Sequence, residues 1–228
     1  MDARAQRRIA FFGGTFDPPH HGHLAVARAA ADRFRLDRIL FAPVARQPLK
    51  LESQPTSMLH RYAMVALATA DDPRFVASQL DVADTGAPNF TVDAIARLRN
   101  EEPEAKLFSL IGADAFQAIA RWREPQKLLS LCDWIVAARP GYSLDALEAA
   151  LPAGVVCATL EDDEEGEGLL LRHEHQSSTR VLLLKETRED VSATEVRSAI
   201  TEDAWKMQDV PPRVADYIRK TRLYQESF

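Results

Sequence analysis

Ile9-Ala10-Phe11-Phe12-Gly13-Gly14-Thr15-Phe16-Asp17-Pro18-Pro19-His20-His21-Gly22-His23-Leu24 opens on four apolar residues and closes at the start of an amphipathic segment, with a glycine pair and a proline pair between. This order predicts a buried strand, a turn and then a helix over Gly22–Phe34. Gly13 and Gly14 leave the backbone without the Cβ atoms that would obstruct a phosphate at the turn holding Thr15 and Phe16. Pro18-Pro19 stiffens that turn. His20 and His23, three apart at the helix start, can face one side, where the free amides of a first helical turn favour an anion. Two other readings compete, a zinc site from His20, His21 and His23, and a glycine-rich turn with incidental histidines. Zinc would need further ligands, and no Cys or acidic residue stands at suitable local spacing. The coincidence of glycine pair, proline pair and spaced histidines favours a phosphate pocket.

Outward from this unit, short apolar runs alternate with amphipathic stretches. Strands are expected at Arg8–Phe12, Arg38–Pro43, Phe75–Leu80, Lys106–Ile111 and Trp134–Ala138, and helices at Ser57–Thr69 and Thr91–Asn100. Such alternation predicts an α/β fold, a doubly wound parallel sheet covered on both faces, with ligands bound beyond the carboxyl ends of its strands. Leu169–Leu171 and Val181–Leu184 suggest a hairpin around Ser177-Ser178, and a final helix is expected from Pro211 to about Thr221, a small C-terminal helical part. The acidic run Glu161–Gly168 reads as a solvated loop; a cation site there would lack the spacing of a calcium loop.

The 228 residues suit one domain, with a possible inserted loop or hairpin at about 157–190. Apolar residues make up 46% and charged residues 27%, enough to bury a full core. A net charge of −6 argues against broad binding to nucleic acid or anionic membranes. The apolar run after the basic amino terminus is too short for a signal peptide or a membrane span. Cys132 and Cys157, far apart and without metal-type spacing, fit a reducing compartment, and a cytoplasmic location is expected. Oligomeric state has no signature in the sequence.

A second motif, Val191-Ser192-Ala193-Thr194-Glu195-Val196-Arg197, precedes another amphipathic stretch. Ser192 and Glu195 form the pattern of a capping box. That leaves Thr194 and Arg197, three apart, as a hydroxyl and a guanidinium suited to gripping phosphate. In the middle of the chain, Ile111-Gly112-Ala113-Asp114 ends a strand, where Asp114 either accepts from ribose hydroxyls or caps a helix. Trp122 follows, as core or as a platform for an aromatic ring.

The run from Gly13 to His23 resembles the signature of the adenylyltransferase superfamily that carries His-x-Gly-His, and is most similar to that of bacterial nicotinate-nucleotide adenylyltransferases. The resemblance implies a Rossmann-like sheet in which His20 and His23 bind the phosphates of ATP and stabilise the transition state. Ser192 to Arg197 resembles the family's Ser-Ser/Ala-Thr-x-x-Arg motif, implying a grip by Ser192, Thr194 and Arg197 opposite the histidines. It further implies that Gly112 and Asp114 contact ribose, that Trp122 stacks on a pyridine ring, and that backbone amides at Thr91 and Arg123 read the nicotinate carboxylate. Lys50, closing the Pro43–Lys50 segment, is either a phosphate contact or a solvated lysine, and Arg139-Pro140-Gly141 matches the family on the acceptor side. The ending Val210-Pro211 through Tyr217-Ile218 to Leu223-Tyr224 also matches the family, with no site role attached to it. Val44 and Leu49 stand where the family has Asn and His, and Asn89-Phe90-Thr91 stands for Ser-Tyr-Thr.

The activity this implies is transfer of AMP from ATP to nicotinate mononucleotide, giving deamido-NAD and pyrophosphate, with Mg²⁺ carried in by ATP rather than held by a protein metal site. Alternatives are an adenylyltransferase for nicotinamide mononucleotide or phosphopantetheine, a cytidylyltransferase, and a nucleotide-binding sensor that does not turn over. A class I aminoacyl-tRNA synthetase fragment would show a lysine-rich second signature, which is missing from the sequence.

Overall fold

The computed structural model describes residues 6–44, 55–80, 90–138, 142–163, 166–173, 177–185, 192–201 and 207–225. Eight strands form one sheet: β1 (Arg8–Gly14), β2 (Arg38–Pro43), β3 (Phe75–Ala77), β4 (Lys106–Gly112), β5 (Asp133–Ala137), β6 (Val156–Asp163), β7 (Gly166–Arg172) and β8 (Thr179–Leu184). Their spatial order is β3-β2-β1-β4-β5-β8-β7-β6. The first six in that order are parallel. After β3 the chain crosses back to lay β4 beside β1, so the winding reverses between these two strands. In sheets of this kind such a reversal leaves a crevice at the carboxyl ends of the two strands, the usual ligand position.

The central strands are buried on both faces because successive side chains point to opposite sides. Ala10 and Phe12 face a core shared with α1 (His21–Arg33), α2 (Met58–Thr69), α7 (Ala193–Thr201) and α8 (Pro212–Thr221). Ile9 and Phe11 face the other core, against α3 (Thr91–Glu101), α5 (Pro125–Ser130) and α6 (Leu144–Ala149). The short α4 (Ala113–Phe116) follows β4 directly. The C-terminal helices therefore complete one face of the sheet. Among the described residues, no helix is long and apolar enough to cross a membrane.

The expected parallel sheet holds over six strands, with β7 antiparallel to both β8 and β6 at one side, and three finer expectations are corrected. The expected β7–β8 hairpin is present, with Leu169 opposite Val181. The described part of the acidic run is not a free loop: residues 161–163 close β6 and residues 166–168 open β7, with a register irregularity between Leu160 and Asp163. β6 is one edge of the sheet. The strand at Phe75 stops at Ala77, and the last helix starts at Pro212 with Pro211 as its N-cap. Proline carries no amide donor, so a pair of prolines fits where first-turn donors have no intrahelical acceptor.

Candidate active site

β1 delivers Gly13 and Gly14 to the crevice, and packing accounts for both glycines. A Cβ on Gly13 would lie 2.8 Å from the Phe11 ring, and one on Gly14 3.0 Å from the Phe16 ring. Phe16 is itself buried against Phe12, Phe41 and His23. Its side chain is therefore core, and its backbone, turned at φ 49°, is the part left to face a nucleotide.

His20 is the N-cap of α1 in extended conformation. Its backbone N–H donates to Nδ1 of His23 at 3.2 Å, and the two rings lie 3.7 Å apart between centroids. Accepting at Nδ1 places the proton of a neutral His23 on Nε2, free to donate. Burial pulls the His20 pKa down to about 4, with the neighbouring His21 acting in the same direction and Glu195 opposing. Burial, then the adjacent His20, holds His23 well below the ordinary range as well. The Nδ1 of His20 is buried without a hydrogen-bond partner. Among the described residues, no three His, Cys, Asp or Glu side chains converge as metal ligands, His20, His21 and His23 included.

The second motif arrives at the same mouth. Arg197 donates from Nη1 to the backbone carbonyl of Asp17 at 2.7 Å and from Nη2 to the hydroxyl of Thr194 at 3.3 Å. Ser192 forms the capping box: its N–H and hydroxyl both donate to the Glu195 carboxylate, while its oxygen accepts from the Glu195 N–H. Cap and clamp thus coexist on one helix. Thr194, Arg197, Ser198 and Thr201 line a shallow open pocket beside the first motif.

Across the crevice, Gly112 closes β4 in open space, with nothing near an added Cβ. Gly112, not Asp114, is the N-cap of α4, so the capping alternative for Asp114 falls and its carboxylate stands exposed in the first turn. Trp122 is partly buried against the second core. Arg123 sits with its guanidinium carbon 4.5 Å from the centre of the Phe90 ring, and Phe90 is the N-cap of α3, directly before Thr91. Thr91 and Arg123, separate in sequence, are thereby neighbours. Lys50 and Arg139 lie outside the described residues.

Three residues of the site had no role in the sequence reading. Arg61, 1% exposed, donates to the carbonyls of Thr15, Val44 and Thr56. Asp17, 4% exposed, accepts from the Thr56 N–H and from the Tyr224 hydroxyl. A signal for Arg61 existed: with Met64, Val65, Ala68 and Thr69 it completes the buried stripe of α2 at helical spacing. Nothing local marks Asp17 or Tyr224 as partners.

The model of the cytidylyltransferase-like family matches residues 11–199, from within β1 to within α7. A probable nicotinate-nucleotide adenylyltransferase of Corynebacterium kroppenstedtii is 35% identical over 220 residues, covering 96% of this chain and 92% of that protein. One of Synechococcus is 36% identical over 219 residues, covering 96% and 95%. Among solved structures, Plasmodium falciparum nicotinic acid mononucleotide adenylyltransferase complexed with NaAD is similar at TM-score 0.70 and 17% identity, covering 96% of this chain and 98% of that one. That likeness supports the sheet and its winding; full-length identity above 30% supports more. With the family model spanning both motifs, this chain belongs to the nicotinate-nucleotide adenylyltransferases, within the cytidylyltransferase-like family.

Proposed function

We propose that the chain transfers the adenylyl group of ATP to nicotinate mononucleotide, forming deamido-NAD and pyrophosphate. The observation that carries the reading is the meeting of the two motifs: Arg197 binds the carbonyl of Asp17, inside the turn that leads to His20 and His23.

The acceptor's phosphate monoester is largely dianionic at neutral pH and needs no general base. One of its oxygens bonds to the α-phosphorus of ATP as the bond from that phosphorus to the bridging oxygen breaks, and pyrophosphate departs with the electron pair. The chain's work is to align two anions and to meet the charge growing on the leaving group. In this reading His20 and His23 donate as neutral imidazoles, while Arg197 supplies the fixed positive charge. The amides of Gly14, Thr15 and Phe16 with the hydroxyls of Ser192 and Thr194 complete the grip, and Gly112 and Asp114 hold ribose. Thr91, Trp122 and Arg123 receive the acceptor, whose carboxylate would be favoured by the helix start at Thr91 and the cation at Arg123.

Imidazoles and a guanidinium suit phosphate oxygens rather than a hard divalent cation, so Mg²⁺ fits this mouth only as an ion held by the triphosphate. When bound, it would supply further neutralisation of the pyrophosphate.

Pyrophosphate release from ATP and Mg²⁺ tests the proposal, with nicotinate mononucleotide, nicotinamide mononucleotide and phosphopantetheine as parallel acceptors. A strong preference for the first is expected. Turnover with another acceptor alone would discard the reading of Thr91, Trp122 and Arg123 and keep the ATP clamp; ATP binding without turnover would replace the enzyme by a sensor.

A further inference from the structure

Arg197 is held by a closed circuit of contacts that runs through the far end of the chain. Its Nη1 reaches the backbone carbonyl of Asp17. The Asp17 side chain is pinned at both oxygens, Oδ1 by the Tyr224 hydroxyl at 2.6 Å and Oδ2 by the Thr56 N–H at 2.9 Å. The circuit closes on α7, where the Thr201 hydroxyl lies 3.1 Å from the carbonyl oxygens of both Arg197 and Tyr224. To reach this place the chain leaves α8 through two left-handed residues, Arg222 at φ 54° and Tyr224 at φ 63°. Neither is glycine, and such conformations cost on the order of 1 kcal/mol each. Burial, together with the neighbouring Asp17, pushes the Tyr224 phenol far up, so it remains a donor at any working pH.

We propose that Tyr224 and Asp17 are positioning residues for the transfer reaction: the tyrosine hydroxyl fixes Asp17, whose carbonyl aims the Arg197 guanidinium at the phosphates. The proposal rests on the adenylyl-transfer reading for what Arg197 does, while the contacts themselves do not depend on it. A guanidinium carries five N–H donors, and the two bonds to Asp17 and Thr194 orient it while leaving others for a ligand. Without the tether, the arginine would have to be ordered at each turnover.

Tyr224→Phe removes one oxygen and keeps the ring that packs on the core. Pyrophosphate release and melting temperature are to be measured for the parent, Tyr224→Phe, Arg197→Ala and the double variant. The expected result is a drop in kcat of roughly tenfold for Tyr224→Phe, with KM for nicotinate mononucleotide within about twofold. In the Arg197→Ala background the same change is expected to alter kcat by less than about twofold, because its effect passes through the missing guanidinium. Equal losses in both backgrounds, or a lowered melting temperature with unchanged kcat, would overturn the proposal. If the parent turns over no acceptor, the transfer reading fails separately. The circuit is then tested by titrating ATP into the same four proteins, where Tyr224→Phe is expected to weaken binding only when Arg197 is present, and equal weakening in both backgrounds would overturn it.

Discussion

His23 is held by the His20 amide on one side and by the rings of Phe12 and Phe16 on the other. His23→Ala is expected to lower turnover by about two orders of magnitude or more, the usual effect of removing a preorganised donor. Lost packing and one lost hydrogen bond should reduce stability by only about 1–2 kcal/mol; pyrophosphate release and urea denaturation separate the two effects. The same imidazoles make the unliganded fold acid-sensitive. His20 has its folded pKa at about 4 against 6.5 for the free side chain, so the unfolded chain binds the extra proton first as pH falls. Stability from this group is complete above pH 6.5, declines as pH drops toward 4 and is level below that. The decline amounts to about 3 kcal/mol for His20, and His23 adds to it in the same direction. Thermal melts of the ligand-free protein are expected to show it, and His20→Gln is expected to flatten the slope. An unchanged slope in that variant would place the acid sensitivity elsewhere.

Among the elements, β7 and β4 use glycine for opposite reasons. A Cβ on Gly168 would fall 2.4 Å from the Val181 carbonyl oxygen of β8, a backbone atom that cannot swing away. Gly168→Ala is therefore expected to spread the β7–β8 ladder and destabilise the protein by about 1–3 kcal/mol in denaturant unfolding. Gly112→Ala meets open space at the end of β4 and is expected to leave stability within about 0.5 kcal/mol. If the Gly112 backbone borders the ribose, as proposed, that variant shows its effect in KM for substrate instead. α7 illustrates how one short element carries two tasks: Ser192 and Glu195 satisfy its amino end, and Thr194 with Arg197 face the first motif.

For the molecule as a whole, Arg61 joins, through three carbonyls, the two connections that leave the sheet at the carboxyl ends of β1 and β2. It takes the Thr15 carbonyl after β1, the Val44 carbonyl after β2 and the Thr56 carbonyl before α2. Burial lowers its pKa, against which Asp17 and Tyr224 favour the charged form. Arg61→Met keeps an unbranched stem without the guanidinium donors and strands those carbonyls. A loss of about 3 kcal/mol is expected in urea unfolding, since a buried acceptor left unpaired costs 1–3 kcal/mol. KM for ATP is expected to rise as the Thr15 turn loosens. Stability within about 0.5 kcal/mol of the parent would show that water replaces the guanidinium without penalty.

Both halves of the candidate nucleotide site were legible because each is a short local pattern. Strand, glycines, prolines and spaced histidines follow one another within Ile9–Leu24, and Ser192 to Arg197 lie within two turns of one helix. The amphipathic periods likewise determined β2, α2 and α3 to within about two residues. The antiparallel β6 and β7 were less legible, because an edge strand with acidic residues lacks the apolar period of a buried one. Only tertiary structure decided that Phe16 is core, that Arg123 rests on Phe90 and that Tyr224 meets Asp17 across 207 positions of sequence. Periodicity and capping act between residues a few positions apart, so a local sequence records them. A hydrogen bond between the first turn and the last depends on how every intervening element packs, and no neighbouring residue carries its trace.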